Sequence, residues 1–157
     1  MKDSQQGYTV VRAGTEHTQQ VADLFDDYRV FYGRPSDVNA ARMFVAERLA
    51  KKDSIIYLAH TRSGGAKIPL GFTQLYPSFS SVSMKRLWIL NDLYVAAEGR
   101  RQGVGRALID HARQLAVETG AKGLILETAI DNTSAQALYD SYGFVRDTEF
   151  HRYALDV

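Results

Sequence analysis

The sequence predicts a mixed α/β domain, and three observations carry that prediction. Segments of helical spacing and segments of strand spacing are interleaved along the 157-residue chain, in the order β-α-α-β-β-β-α-β-α-β-β. Strands come in runs, with one clear βαβ unit, which argues against a purely doubly wound sheet. No Gly/Ser/Pro-rich linker, internal repeat or low-complexity tract interrupts the chain, so one domain is expected over residues 1–157, with its core at about 8–155.

Each element has its own reason. Residues 8–12 (YTVVR) read as a strand. Over 17–32, Val21, Leu24, Phe25, Tyr28 and Phe31 or Tyr32 recur at helical spacing until Gly33-Arg34-Pro35 interrupts them. Asp37 is placed to cap a second helix carrying Ala41, Phe44, Val45, Arg48 and Leu49. The run SIIYLAH is a buried strand, Gly64-Gly65 turns into a strand over 69–76, and Pro77 with the serines after it predicts a hairpin into 87–95. A polar loop, AAEGRRQG, leads into a helix over about 103–119 with Val104, Leu108, Ala112 and Leu115 along one side; Gly120 stops it. LILET is the next strand. Thr133-Ser134-Ala135-Gln136 has capping-box spacing for a helix over 133–141, and Gly143 sits where a left-handed residue ends one. Phe144–Arg146 and Phe150–Leu155 read as two closing strands.

Composition narrows the function. With 19 Lys and Arg against 18 Asp and Glu, the net charge of +1 gives no footprint for nucleic acid or anionic lipid as an obligatory partner. The absence of cysteine excludes disulfides, thiolate zinc sites and cysteine nucleophiles. The four histidines, His17, His60, His111 and His151, have no metal-ligand spacing, so no metal is expected. The opening MKDSQQGYTV has no apolar h-region and no later run approaches membrane-span length, so a cytoplasmic protein is expected.

The loop Arg100-Arg101-Gln102-Gly103-Val104-Gly105 lies between a strand and a helix. Two glycines at this spacing let a ligand approach the backbone, and the helix start supplies unpaired amides with partial positive charge, a natural phosphate site. A Walker loop fails because Arg106-Ala107 follows Gly105. A Rossmann fingerprint fails because Leu108 occupies the third glycine position and seven residues separate Val95 from Gly103.

The remaining pattern resembles the GNAT superfamily of N-acetyltransferases. Its motif A stands here as Asp92-Leu93-Tyr94-Val95 followed by Arg100-x-x-Gly103-x-Gly105. Its second signature stands as Asn132, Ala135, Tyr139, Gly143 and Phe144. FYGRPSD, LYPSFSS and WILNDLYV are most similar to small bacterial members related to polyamine- and histone-tail-acetylating enzymes. The resemblance implies a single-domain GNAT fold, a central mixed, mostly antiparallel sheet flanked by about four helices.

It also implies roles. Acetyl-CoA would be the acetyl donor, its pyrophosphate held by the loop amides of Arg101, Gln102, Gly103, Val104, Gly105 and Arg106 after Arg100. Leu93, Tyr94 and Val95 would offer main-chain groups to the pantetheine, and Asn132 and Ala135 would contact the cofactor. Tyr139 is the family's general acid toward the departing thiolate; with a pKa of ~10 against ~8.5 for a thiol, full proton donation is uphill by ~2 kcal/mol, so it acts chiefly as a hydrogen-bond donor. Asp92 is the first choice for the base that takes the amine's proton and Glu127 the second, each equally able to be an arginine's structural partner. Asn91 stands where some polyamine-acetylating relatives carry a glutamate. Tyr28, Phe31, Tyr32, Tyr76, Phe79 and Trp88 would line an acceptor pocket, and Asp26, Asp27 and Asp37 would attract a cationic amine or simply form a solvated face.

The expected function is acetyl-CoA-dependent transfer to a primary amine by direct attack in a ternary complex. A non-catalytic acyl-CoA sensor of the same fold, and more remotely a nucleotide-binding oxidoreductase, are the alternatives. The acceptor, a small molecule or a peptide amine, stays open. The alternating Phe150, Tyr153 and Leu155 predict a terminal edge strand and, through it, a homodimer.

Overall fold

In the computed structural model, which describes residues 7–157, five strands pair in chain order into one sheet. They are β1 (Thr9–Arg12), β2 (Ile55–Ser63), β3 (Ala66–Ser80), β4 (Lys85–Val95) and β5 (Leu124–Ile125). The first three pairings are antiparallel and β4–β5 is parallel, the mixed, mostly antiparallel sheet expected. Four helices accompany it: α1 (Thr18–Phe31), α2 (Val38–Lys51), α3 (Val104–Glu118) and α4 (Thr133–Tyr142). The chain divides into two units, residues up to Leu126, which hold the sheet and α1–α3, and Glu127–Val157, which hold α4.

Side-chain periodicity assigns the layers of the first unit. Val21 and Leu24 of α1 and Val45 and Leu49 of α2 pack on Ile56, Leu58 and Phe72, which share one face of the sheet. Each such side chain contributes ~1.5–3 kcal/mol when buried. Tyr57, of opposite parity, turns to the other face, where its ring meets His111 of α3 at 5.5 Å. Val104, Leu108, Ile109, Ala112 and Leu115 are the buried stripe of α3.

The register of β4 against β3 contains an insertion. Gln74 opposes Asp92 but Leu75 opposes Leu90, so Asn91 is an extra residue in the ladder. Strict alternation would put Trp88, Leu90, Asp92 and Tyr94 on one face. The bulge instead sends Trp88 to the α3 side, where its indole N–H donates to Thr119 at 2.9 Å, and Tyr94 to the α1 side, where its ring meets Tyr28 at 6.3 Å and Phe31 at 6.4 Å.

Several local expectations are corrected. β3 runs through Pro77, because β2 begins opposite Leu75 and beyond it β3 pairs only with β4, where a missing N–H is tolerated. The cap of α4 is Asn132, whose side-chain oxygen accepts from Ala135 N at 3.2 Å, so Thr133 is the first helical residue and not the cap. Of LILET only Leu124 and Ile125 form a strand. Phe144–Arg146 and Phe150–Leu155 form no strand: the carboxylate of Asp147 accepts from the amides of Glu149 and Phe150, a local turn that competes with a ladder, and Phe150, Tyr153 and Leu155 are 80%, 90% and 89% exposed.

The α1–α2 connection rests on a buried carboxylate. Asp26, 4% exposed, accepts from the Ser36 hydroxyl at 2.6 Å and from Asp37 N at 2.7 Å, and Asp37 in turn caps α2 through Ala40 N at 3.0 Å. Those two donors hold the Asp26 carboxyl below its ordinary value. A depressed folded-state value stabilises the fold above the ordinary carboxylate range and loses that contribution as the pH falls through it. Asp26→Asn is therefore expected to be less stable than the parent at pH 6, with the gap closing below about pH 4; urea unfolding across that range measures it, and a pH-independent gap would contradict the assignment.

Candidate active site

The site in the first unit begins where β4 ends. The β4–β5 ladder covers only Trp88–Leu124 and Ile89–Ile125, while β4 continues to Val95 against β3. Among the described residues, Leu93, Tyr94 and Val95 are thus laddered on one edge only, opposite Thr73, Phe72 and Gly71. The strand end is fixed by Ala96 N donating to Leu70 O at 2.8 Å, Leu70 being itself the bulged residue between β2 and β3. A Cβ on Gly71 would stand 2.8 Å from Tyr94 O and 3.2 Å from Val104 Cγ1. Glycine is what lets the strand end and the start of α3 approach this closely.

Between them the loop turns through left-handed residues. Arg101 has φ 62° and Gly103 has φ 79°. The first bond of α3 runs from Ala107 N to Gly103 O at 3.0 Å, so the amides of Val104 and Gly105 precede the helical ladder at its positive end. The neighbouring side chains fold back: Arg100 Nε donates to Val95 O at 3.3 Å and Gln102 Nε2 to Glu98 O at 2.7 Å. Main-chain donors, three arginines (Arg100, Arg101, Arg106) and a non-glycine residue in left-handed backbone stand together in this loop, a donor chemistry that fits a pyrophosphate.

Asp92 lies three residues before the strand end and is 6% exposed. Its carboxylate accepts from Gln74 Nε2 at 2.9 Å and from Asn91 Nδ2 at 3.2 Å, and its main-chain carbonyl accepts from the Thr73 hydroxyl at 2.8 Å. Among the described residues no ion pair involves it. Beside it, burial and then the Asp92 charge push Tyr76 up to about 12, so that phenol stays protonated through the working range. Tyr94 is raised too, by burial and then by Asp27, while Arg100 opposes the shift.

A run of rings leads from this strand to solvent: Tyr94 to Phe31, Phe31 to Tyr32 at 5.3 Å, and Tyr32 to Tyr28 at 4.9 Å. Phe31 is 59% exposed. Trp88, expected in the same lining, faces α3 instead because of the Asn91 bulge. Of the three aspartates read as an attractive face, Asp26 and Asp37 are engaged in the α1–α2 connection and only Asp27 adjoins Tyr94 electrostatically.

In the second unit, Tyr139 is buried on α4 and its ring meets Phe144 at 5.6 Å. Asn132 stands two helical turns before it and spends its side-chain oxygen on the cap to Ala135. Glu127 is exposed and paired with Arg152 at 2.7 Å. That pairing is the structural role considered for both carboxylates, and here Glu127 takes it.

A model of the acetyltransferase (GNAT) family matches residues 18–144. This chain belongs to the GNAT family. The uncharacterised N-acetyltransferase YhfO of Bacillus subtilis strain 168 is 42% identical over 146 residues, covering 93% of this chain and 95% of that protein. A solved structure, "Crystal structure of a probable acetyltransferase", is 48% identical with a TM-score of 0.86, covering 95% of this chain and 97% of the other. The ribosomal-protein-alanine N-acetyltransferase of Brucella melitensis biovar Abortus 2308 has a TM-score of 0.79 at 20% identity, covering 96% and 99%, and shares the fold. The chain is an N-acetyltransferase.

Two site residues of this acetyltransferase escaped the sequence reading. Gln74 was legible only as one polar residue in the apolar run PLGFTQLY, and Gly71 as one glycine in it. Among the described residues, no group of three or more His, Asp or Glu side chains could hold a metal ion. No described helix is long and apolar enough to cross a membrane. Gly71→Ala is expected to lower stability by ~1–3 kcal/mol, because the facing atom is a main-chain carbonyl that cannot swing aside. Thermal unfolding measures this; a melting temperature equal to the parent's would contradict the close approach of β3, β4 and α3.

Proposed function

We propose that this N-acetyltransferase moves an acetyl group from acetyl-CoA to a primary amine by direct attack in a ternary complex. The observation that carries the reading is the end of β4. Its last residues are laddered on one edge only and run on, through a left-handed loop, to the first amides of α3. One end of the strand thus presents main-chain groups, and the loop presents charged-ligand donors a few residues later.

Acetyl-CoA is the substrate that supplies an activated acetyl group. Main-chain groups of Leu93, Tyr94 and Val95 bind its pantetheine, and the amides of Arg101 to Arg106 bind its pyrophosphate, with Gly103 permitting the turn. The chain has no cysteine to carry an acetyl group, which favours direct transfer.

The amine needs help before it attacks. An alkylamine of pKa ~10.4 is neutral in under ~0.1% of molecules at pH 7. Asp92, held by neutral amide donors and by no cation among the described residues, takes that proton directly or through water. The ring run from Tyr94 to Phe31 and the nearby Asp27 suit a cationic amine approaching on the α1 side. Tyr139 donates a hydrogen bond to the thiolate as it departs, a role it takes from its place in the Asn132–Tyr139–Phe144 signature.

Tyr139→Phe removes one hydroxyl and keeps the ring. The kcat is expected to fall ~10²–10³-fold, with a smaller change in KM, because thiolate charge develops only as the bond breaks. Steady-state release of free coenzyme A with an amine panel measures it. A variant with parent-like kcat from pH 6 to 9 and reduced thermal stability would contradict the role.

A further inference from the structure

Asp92 is the end of a buried polar relay that starts on another strand's approach. Ser54, just before β2, donates from its hydroxyl to Gln74 Oε1 at 2.9 Å, and Gln74 Nε2 donates to Asp92 Oδ2 at 2.9 Å. The three residues are 6%, 1% and 6% exposed. Burying three polar side chains costs free energy unless every group is satisfied, and here each donor meets an acceptor.

The order of donors is forced. A carboxylate only accepts, so the amide must turn its nitrogen to Asp92, which leaves its oxygen facing Ser54; a hydroxyl there donates and closes the relay. Ser54 thus selects the Gln74 rotamer, and Gln74 selects the orientation of one carboxylate oxygen. Asn91, the bulge residue, fixes the other oxygen at 3.2 Å.

Neutral donors matter here. The cation on this side, Arg48 of α2, is paired with Glu47 at 3.1 Å and Asp53 at 3.0 Å. Tyr76 of β3 feels Asp92, Arg48 and Asp53, and on the α1 side Asp27 reaches Tyr94. A guanidinium paired directly with Asp92 would oppose protonation of the carboxylate, the event a base requires. The amide donors of Gln74 and Asn91 fix its direction without bringing a charge.

We propose that Gln74 and Ser54 are positioning residues for the acetyl-transfer step, holding the Asp92 carboxylate in the orientation from which it takes the amine's proton. This rests on the reading of Asp92 as the base. It extends that reading to two residues that touch neither substrate.

The test measures kcat/KM against pH for the parent, Ser54→Ala, Ser54→Thr, Gln74→Leu and Asp92→Asn, each with its melting temperature. Asp92→Asn is expected to remove the acid limb of the profile. Gln74→Leu is expected to lower kcat about 10-fold while KM for acetyl-CoA stays within about 2-fold, because the carboxylate loses its fixed direction. Ser54→Ala is expected to give a smaller loss of kcat at unchanged KM, and Ser54→Thr, which keeps the hydroxyl, to restore the parent kcat. Should Gln74→Leu fail to fold, the two Ser54 variants decide. Gln74 and Ser54 variants that lose thermal stability yet keep kcat within about 2-fold of the parent, while Asp92→Asn abolishes the acid limb, would overturn the relay and spare the base. An unchanged profile in Asp92→Asn would overturn both.

Discussion

One inserted residue in the β3–β4 ladder sets which way every side chain in the last part of β4 faces. Because Gln74 opposes Asp92 while Leu75 opposes Leu90, Asn91 shifts the side-chain phase of β4 by one. Before the bulge, Trp88 packs toward α3; after it, Tyr94 packs toward α1. Without the insertion, the last residues of β4 would turn their side chains the other way, and Asp92 would face the α3 stripe with no amide opposite it. The bulge is pinned by two consecutive residues of β3, the Thr73 hydroxyl on the Asp92 carbonyl and Gln74 on its carboxylate.

The same constraint connects strand to loop. β4 reaches Val95 without a parallel neighbour beyond Ile89, so its outer main chain keeps hydrogen-bonding capacity that a continuous sheet would use. Leu70, a second bulge, receives the Ala96 amide and stops the strand at a fixed point. The chain then has a few residues in which to reach α3. It does so through left-handed backbone at Arg101 and Gly103, at a cost met by the packing of Val104 against the edge that Gly71 leaves open. The proposed acetyl-CoA site is thus a consequence of where the sheet ends and how sharply the helix begins.

Much of this was legible in the sequence. Helical spacing from Val21 to Tyr28 and from Ala41 to Leu49 located α1 and α2, and Asp37 was recognisable as a cap because its side chain acts within three residues. Gly103 and Gly143 marked helix ends for the same local reason, and the motifs around Asp92, Gly103 and Tyr139 pointed to the family. The bulge was not legible, since a one-residue slip leaves the apolar run LWILNDLYV unchanged as a pattern. Nor was the relay: Ser54 and Gln74 are 20 residues apart, Gln74 and Asp92 are 18 apart, and only the antiparallel register brings them together. Asp26 looked like a member of an acidic face, and burial among Ser36 and Asp37 changed its role. Around Phe150 and Leu155, alternation alone suggested a strand, and the Asp147 turn prevailed because no ladder partner competes with it in that unit.

One continuous stretch, from the end of β4 to the first turn of α3, is proposed to hold acetyl-CoA. Amide chemical shifts recorded while acetyl-CoA is titrated into the isotopically labelled protein test it most directly. The expected result is saturable perturbation that is largest at Leu93–Val95 and at residues 101–106. Saturable binding that leaves those amides unmoved, with the largest changes elsewhere in the chain, would contradict it.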